Sequence, residues 1–221
     1  MKFDILSLFP KVLSSYYEAS ILGRAQQKGI ISIANHDIRD WAIDKHHRVD
    51  DTPYGGGPGM VLRVDVVRRA LLALCRRNSK KTRIILLTPR GKTFDQRVAQ
   101  RLMKYERIIL IAGRYEAIDA RIDQYVDEKI SLGHFILTGG ELAAACVVDA
   151  IARLIPGVVG KEESIADESF SSFSRGSTTV EYPQFTKPEV YEGRRVPRVL
   201  LSGNHRAIAA FRGRKRKTVR A

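Results

Sequence analysis

Apolar residues recur in short blocks, each closed by a glycine or proline. Phe3 to Phe9 reads as a strand ending at Pro10, and Val12 to Lys28 carries its apolar positions at helical spacing with Gly29 as the stop. Ile30 to Ile38 predicts a second strand. Arg39 to Gly59 is polar and irregular. Asp65 is placed to cap a helix reaching about Arg77, with Val66, Val67, Ala70, Leu71 and Leu74 inward. Arg83 to Thr88 predicts a strand, and the capping pattern Thr93-Phe94-Asp95-Gln96 starts a helix to about Lys104. The pattern continues with a strand at Arg107 to Ala112, a short helix at Ile118 to Tyr125, strands at Glu128 to Leu132 and Phe135 to Leu137, and a helix from Leu142 to Ile155. Strands alternating with helical crossovers predict an α/β fold with a mainly parallel sheet covered on both faces.

Three strand ends run into glycine-bearing junctions: Leu87-Thr88-Pro89-Arg90-Gly91, Ala112-Gly113-Arg114-Tyr115-Glu116 and Leu137-Thr138-Gly139-Gly140-Glu141. In open parallel sheets ligands bind beyond the carboxyl ends of strands, so these junctions predict one composite pocket. No G-x-G-x-x-G follows a strand and no phosphate-binding loop ending in Gly-Lys-Ser/Thr occurs, which disfavours dinucleotide and P-loop chemistry. The run Pro53-Tyr54-Gly55-Gly56-Gly57-Pro58-Gly59 could cradle a phosphate or be a mobile linker, and composition leaves both open.

Pro156-Gly157 ends the last helix of this region, and the composition then changes. Residues 161–179 are polar and serine-rich and read as a flexible linker between a domain at 1–160 and a small basic one at 180–221, where Asn204 to Lys217 predicts a basic helix.

With 38 Lys and Arg against 24 Asp and Glu, the 221-residue chain carries a formal charge of +14, which favours a polyanionic partner, nucleic acid first. Six of the last ten residues are cationic: Arg212, Arg214, Lys215, Arg216, Lys217 and Arg220. A hydrophobic content of 44% excludes disorder throughout. Two cysteines exclude a disulfide framework, the five histidines lack metal-ligand spacing, and no apolar run reaches membrane-spanning length. The expectation is a soluble cytoplasmic protein without a cysteine or histidine metal site. Asp149 and Arg153 stand four apart on a helix otherwise so apolar that it must be largely buried. That is either an ordinary ion pair or a charge with a task.

Several segments together carry a resemblance: Leu6-Ser7-Leu8-Phe9-Pro10, Val49 to Met60, Gly113-Arg114-Tyr115-Glu116, Leu137 to Leu142, Arg153 to Val158, Tyr182 to Pro188 and Val199 to His205. By these the chain resembles the bacterial tRNA (guanine-N1)-methyltransferases, the TrmD family of the SPOUT superfamily, over nearly its whole length. The resemblance implies a SPOUT-type sheet with a deep trefoil knot, a small mostly helical C-terminal domain, and a homodimer with active sites shared between subunits. It also implies methyl transfer from S-adenosylmethionine to N1 of the guanine at tRNA position 37, and a need for Mg2+ that no ligand set in the sequence shows. Carried over residue by residue, cofactor contacts fall on Leu87, Thr88, Pro89, Gly113, Tyr115, Glu116, Leu132, Gly133, Phe135, Leu137, Gly139 and Gly140. Arg153 is implied as the group that stabilises guanine O6, and a linker carboxylate from the partner subunit as the base. Register against Ser169-Phe170 points to Glu168 for that base, and residue type points to Asp167. The resemblance also leads one to expect a second domain shorter than usual. The alternatives are another knotted RNA methyltransferase, acting on a ribose 2′-OH or on ribosomal RNA, and a non-catalytic RNA-binding protein.

Overall fold

The computed structural model describes residues 1–75, 80–160, 168–171, 173–174 and 177–220. The chain divides into two compact units, Met1–Gly160 and Lys161–Ala221. In the first, the order is β1 (Lys2–Ser7), α1 (Ser14–Glu18), α2 (Ser20–Gln27), β2 (Ser32–Asp37), a 3-10 turn at Ile38–Trp41, β3 (Asp50–Asp51), β4 (Val61–Leu62), α3 (Val64–Leu74), β5 (Thr82–Thr93), α4 (Gln96–Leu102), β6 (Arg107–Ala112), β7 (Ala117–Ile118), a 3-10 turn at Ala120–Tyr125, β8 (Glu128–Ser131) and α5 (Glu141–Ala152).

Five strands form one sheet in the order β2-β1-β6-β5-β8, every neighbouring pair parallel. The central strand β6 is apolar at every position after Arg107 because both its faces are covered. The period-two alternation of strands sorts the core into two layers. Phe3, Ile5, Ile85, Leu87, Ile108 and Leu110 pack with α2, α4 and α5, whereas Leu6, Ile84, Leu86, Ile109 and Ile111 pack with α3 and the 3-10 turns.

The structure departs from the sequence pattern in instructive places. The helix expected over Val12 to Lys28 is broken at Ala19 and Ser20, whose backbones are extended and left-handed respectively; Gly29, also left-handed, closes it as anticipated. Asp65 does not cap α3. The helix begins two residues earlier, at Val64, and the Asp65 carboxylate is taken by the guanidinium groups of Arg63 (3.0 Å) and Arg69 (2.9 Å), which offer charged donors where the backbone offers neutral ones. The Arg76–Arg77 end predicted for that helix lies outside the described residues. In α4 the cap is Asp95, accepting from the Val98 N–H at 2.9 Å. Phe135 to Leu137 forms no strand. Only five residues separate Gly133 from Gly139, the segment lies past the edge strand β8, and Phe135 and Ile136 face solvent, so nothing is there to pair with.

In the second unit the elements are β9 (Phe173–Ser174), β10 (Ser177–Val180), β11 (Val190–Tyr191), β12 (Arg194–Arg195), α6 (Arg198–Leu201), α7 (His205–Lys215) and β13 (Lys217–Arg220). Asn204 caps α7 through its side-chain oxygen, 3.0 Å from the Ala207 N–H. β10 pairs antiparallel with both β9 and β13, so the end of the span read as a flexible linker is a strand in a three-stranded sheet, beside the two helices. Among its described residues only Thr178 is buried, which leaves this unit with little core of its own.

One charge lies fully inside the first unit. Asp4 accepts hydrogen bonds from His36 Nε2 at 2.8 Å and Arg107 Nε at 2.7 Å, tying together the N-terminal ends of β1 and β6 and the adjoining β2. Burial alone would raise its pKa, but the bonds from His36 and Arg107 outweigh that and hold the carboxyl below its ordinary 3.8. A carboxyl with a depressed folded pKa contributes stability above its unfolded pKa and loses it as pH falls through the folded value. Asp4→Asn should therefore cost about 3 kcal/mol at pH 7. Chemical denaturation across pH should show that gap closing progressively below pH 3.8; a gap that stays constant with pH would rule out the charge as the cause.

Candidate active site

β6, β5 and β8 are neighbours, so their C-terminal ends open onto one place. At the end of β5 the pairing with β8 is interrupted, Leu87 and Lys92 both standing opposite Ile130, and Thr88 to Gly91 bulge out of the sheet. Gly91 makes the bulge possible, since a Cβ there would lie 2.5 Å from the Ile130 backbone. The loop after β6 contributes Gly113 to Ala117, and the loop after β8 contributes Leu132 to Gly140. Together they enclose a cavity of about 550 Å³, within the range of small-molecule sites. All twelve residues carried over as cofactor contacts line it: Leu87, Thr88, Pro89, Gly113, Tyr115, Glu116, Leu132, Gly133, Phe135, Leu137, Gly139 and Gly140.

Backbone proximity holds the loops together. The Gly140 N–H donates to the Gly113 carbonyl at 2.8 Å, and a Cβ on Gly140 would come within 2.7 Å of Ala112 Cα. Tyr115 is left-handed at φ 60°, a conformation costly for a side chain this large. Such strain concentrates where a loop must present its backbone to a ligand.

An electrostatic clamp, not visible in the sequence, ties the loops after β6 and β8 to the end of β1. The Arg114 Nε donates to Glu141 Oε2 at 2.9 Å, the Ser7 hydroxyl donates to Glu141 Oε1 at 2.6 Å, and Arg114 Nη1 donates to the Thr138 carbonyl at 3.2 Å. The Arg114 guanidinium also lies over the Phe9 ring, 4.7 Å from its centre. Glu141 is buried, so its charge requires these partners. The signal that could have found it was a lone Glu opening an otherwise apolar helix, with a lone Arg in a facing glycine turn.

Glu116 is the acidic residue of the cavity lining and stands at its exposed rim. Its backbone N–H donates to the Met60 carbonyl at 3.2 Å, and its side chain fills the space beside left-handed Gly59. The glycine-rich run therefore has a built stem: β3 pairs with β4, and β4 with β7, whose Ala117 and Ile118 also line the cavity. Among the described residues no group of three His, Cys, Asp or Glu is placed to hold a metal ion, and Glu141 is already engaged by Arg114 and Ser7.

Arg153 is not brought to this cavity. It caps the C-terminal end of α5, whereas Ala143 in the first turn lines the cavity, ten residues and roughly 15 Å away along the helix. Asp149 on the same helix accepts from the Tyr16 hydroxyl at 3.0 Å. Glu168 belongs to the second unit, in a turn where Ser171 donates to its carbonyl and the neighbouring Phe170 N–H reaches Thr179. Asp167 lies outside the described residues.

A family model described as tRNA (guanine-1)-methyltransferase TrmD matches residues 1–221, the whole chain. The chain belongs to the tRNA (guanine-1)-methyltransferase family. Relatives named tRNA (guanine-N(1)-)-methyltransferase are similar along nearly all of it. That of Citrifermentans bemidjiense is 48% identical over 96% of this chain and 83% of its own length. That of Clostridium novyi is 48% identical over 99% and 88%, and that of Deinococcus radiodurans 46% over 96% and 74%. Membership of this SPOUT family of enzymes agrees with the parallel sheet and the position of its cavity.

The close approach at Gly140 gives a direct test within this methyltransferase fold. Gly140→Ala should weaken S-adenosylmethionine binding at least ten-fold by calorimetry, because Ala112 and Gly113 must move apart. Gly160→Ala, where a Cβ meets open space, should bind as the parent does. Equal affinities for all three proteins would detach the cavity from the cofactor.

Proposed function

We propose that this protein transfers a methyl group from S-adenosylmethionine to N1 of the guanine at position 37 of tRNA, as a homodimer acting in the cytoplasm. The observation that carries the reading is that one cavity gathers all three glycine junctions, with family membership along the whole chain. Bound there, S-adenosylmethionine supplies an electrophilic methyl on a sulfonium centre. Leu87, Leu132 and Leu137 offer apolar contact to an adenosyl group, the Gly139-Gly140 backbone admits it closely, and the Glu116 carboxylate places negative charge at the rim.

Guanine N1 carries a proton at neutral pH, so attack on the methyl requires a base for that proton and stabilisation of charge on O6. In this reading Arg153 faces O6, and Glu168 or Asp167 takes the proton as the N1–methyl bond forms and the sulfur–methyl bond breaks. The distance of Arg153 from the cavity of its own chain supports a shared site, in which a second copy supplies it. Uncovered apolar surface supports the same assembly: Leu142 and Cys146 face outward along α5 beside Tyr16, and Val12 and Phe9 are exposed nearby in sequence. The close backbone crossings at Gly91 and Gly140 are compatible with a knotted path through these loops. A sequence with only two cysteines suits a reducing compartment.

The decisive assay is methylation of two tRNA transcripts differing only in guanine or adenine at position 37. Incorporation into the first alone is expected, and equal incorporation or none in either would overturn the reading. Arg153→Ala should lower single-turnover methyl transfer about 100-fold while tRNA affinity by filter binding changes less than about three-fold. Sharing of sites is tested by mixing the impaired Gly140→Ala and Arg153→Ala chains at S-adenosylmethionine concentrations too low to saturate Gly140→Ala. Heterodimers should regain one working site if Arg153 serves the other subunit's cavity, and stay inactive if it serves its own.

A further inference from the structure

The second unit contains a feature that methyl transfer does not explain. Val190 to Arg195 is a two-residue hairpin whose tip, Glu192-Gly193, has both residues left-handed, at φ 48° and 76°, the combination that closes a tight turn matched to strand twist. Tyr191 and Arg194 stand directly opposite each other across it and so project from the same face. Tyr191 is 65% exposed, so its ring is free to meet a ligand. The unit around it is cationic: residues 181–221 contain eleven Lys and Arg against three acidic residues, Glu181, Glu189 and Glu192, of which Glu189 lies 3.9 Å from Arg195.

An exposed aromatic ring beside a guanidinium is the pairing that binds unpaired nucleotides, the ring stacking on a base and the cation meeting the neighbouring phosphate. Stacking needs a base not already stacked in a helix, and the excess positive charge complements a phosphodiester chain. We propose that the Val190–Arg195 hairpin is a second RNA contact, in which Tyr191 stacks on an unpaired base of the tRNA other than the methylated guanine and Arg194 holds an adjacent phosphate. This rests on the proposed function in taking tRNA as the partner. It adds a base-stacking anchor to what would otherwise be phosphate attraction alone.

The test uses the full-length protein and a transcript with guanine at position 37. Tyr191→Ala should raise KM for the tRNA roughly ten-fold, and Tyr191→Phe, which keeps the ring, should restore it to within about two-fold. Arg194→Ala should weaken binding and reduce the slope of log affinity against log salt by about one. Calorimetric affinity for S-adenosylmethionine, read on the first unit, should be the same in all of these variants. Tyr191→Ala binding tRNA as tightly as the parent, or Tyr191→Phe as weak as Tyr191→Ala, would overturn the stacking contact. Failure of the parent protein to methylate the transcript would instead overturn the function on which it rests.

Discussion

The buried pair Arg114–Glu141 is the interaction on which the cavity depends. It joins the loop after β6 to the first residue of α5, and through Ser7 and Thr138 it reaches the end of β1 and the loop after β8. Placing a carboxylate inside a protein is costly, so the pair is useful only while its geometry is complete. That requirement makes the loops mutually dependent: a loop displaced far enough to open the cavity would leave a buried charge without its partner. Gly140 adds a steric condition to the electrostatic one, since only a residue without a Cβ lets its N–H reach the Gly113 carbonyl so near Ala112.

The two ends of the sheet illustrate a division common to α/β proteins. Near the N-terminal ends of β1 and β6, the buried Asp4 carboxylate binds Arg107 and, from the neighbouring strand β2, His36, and so ties three strands together. At the C-terminal ends, the strands give way to a bulge, a strained tyrosine turn and a loop without regular structure. Stability is invested at one end, while the other presents backbone and apolar side chains to a ligand. The helix α5 begins at the cavity and ends at Arg153.

Much of the fold was legible because hydrophobic periodicity is strong where both sheet faces are covered. β6 was placed to the residue, and the cores of β1, β5 and β8 to within a few positions. The breaks were less legible. Nothing in the run from Val12 to Lys28 announces the left-handed Ser20, because one residue's backbone angle leaves no trace in a periodicity. Phe135 to Leu137 looked like a strand since its residues favour one, but a strand also needs an unoccupied neighbour, and that is a property of the sheet. The glycine-rich run after Pro53 read as either a phosphate cradle or a mobile linker, and the β3–β4–β7 stem that sets it beside Glu116 was not legible.

By itself the sequence determined the α/β class, the three glycine junctions, the basic C-terminal region and, through motifs spread along the chain, the family. Each of these is written locally, as a side-chain period, a backbone permission or a charge. Only the tertiary structure decided that the junctions line one cavity, that Arg114 and Glu141 meet, and that Arg153 stands a helix-length from the cavity its own helix begins at. Those facts depend on which strands become neighbours and on how far a helix carries a side chain. Residues distant in the chain acquire such relations only when the sheet assembles.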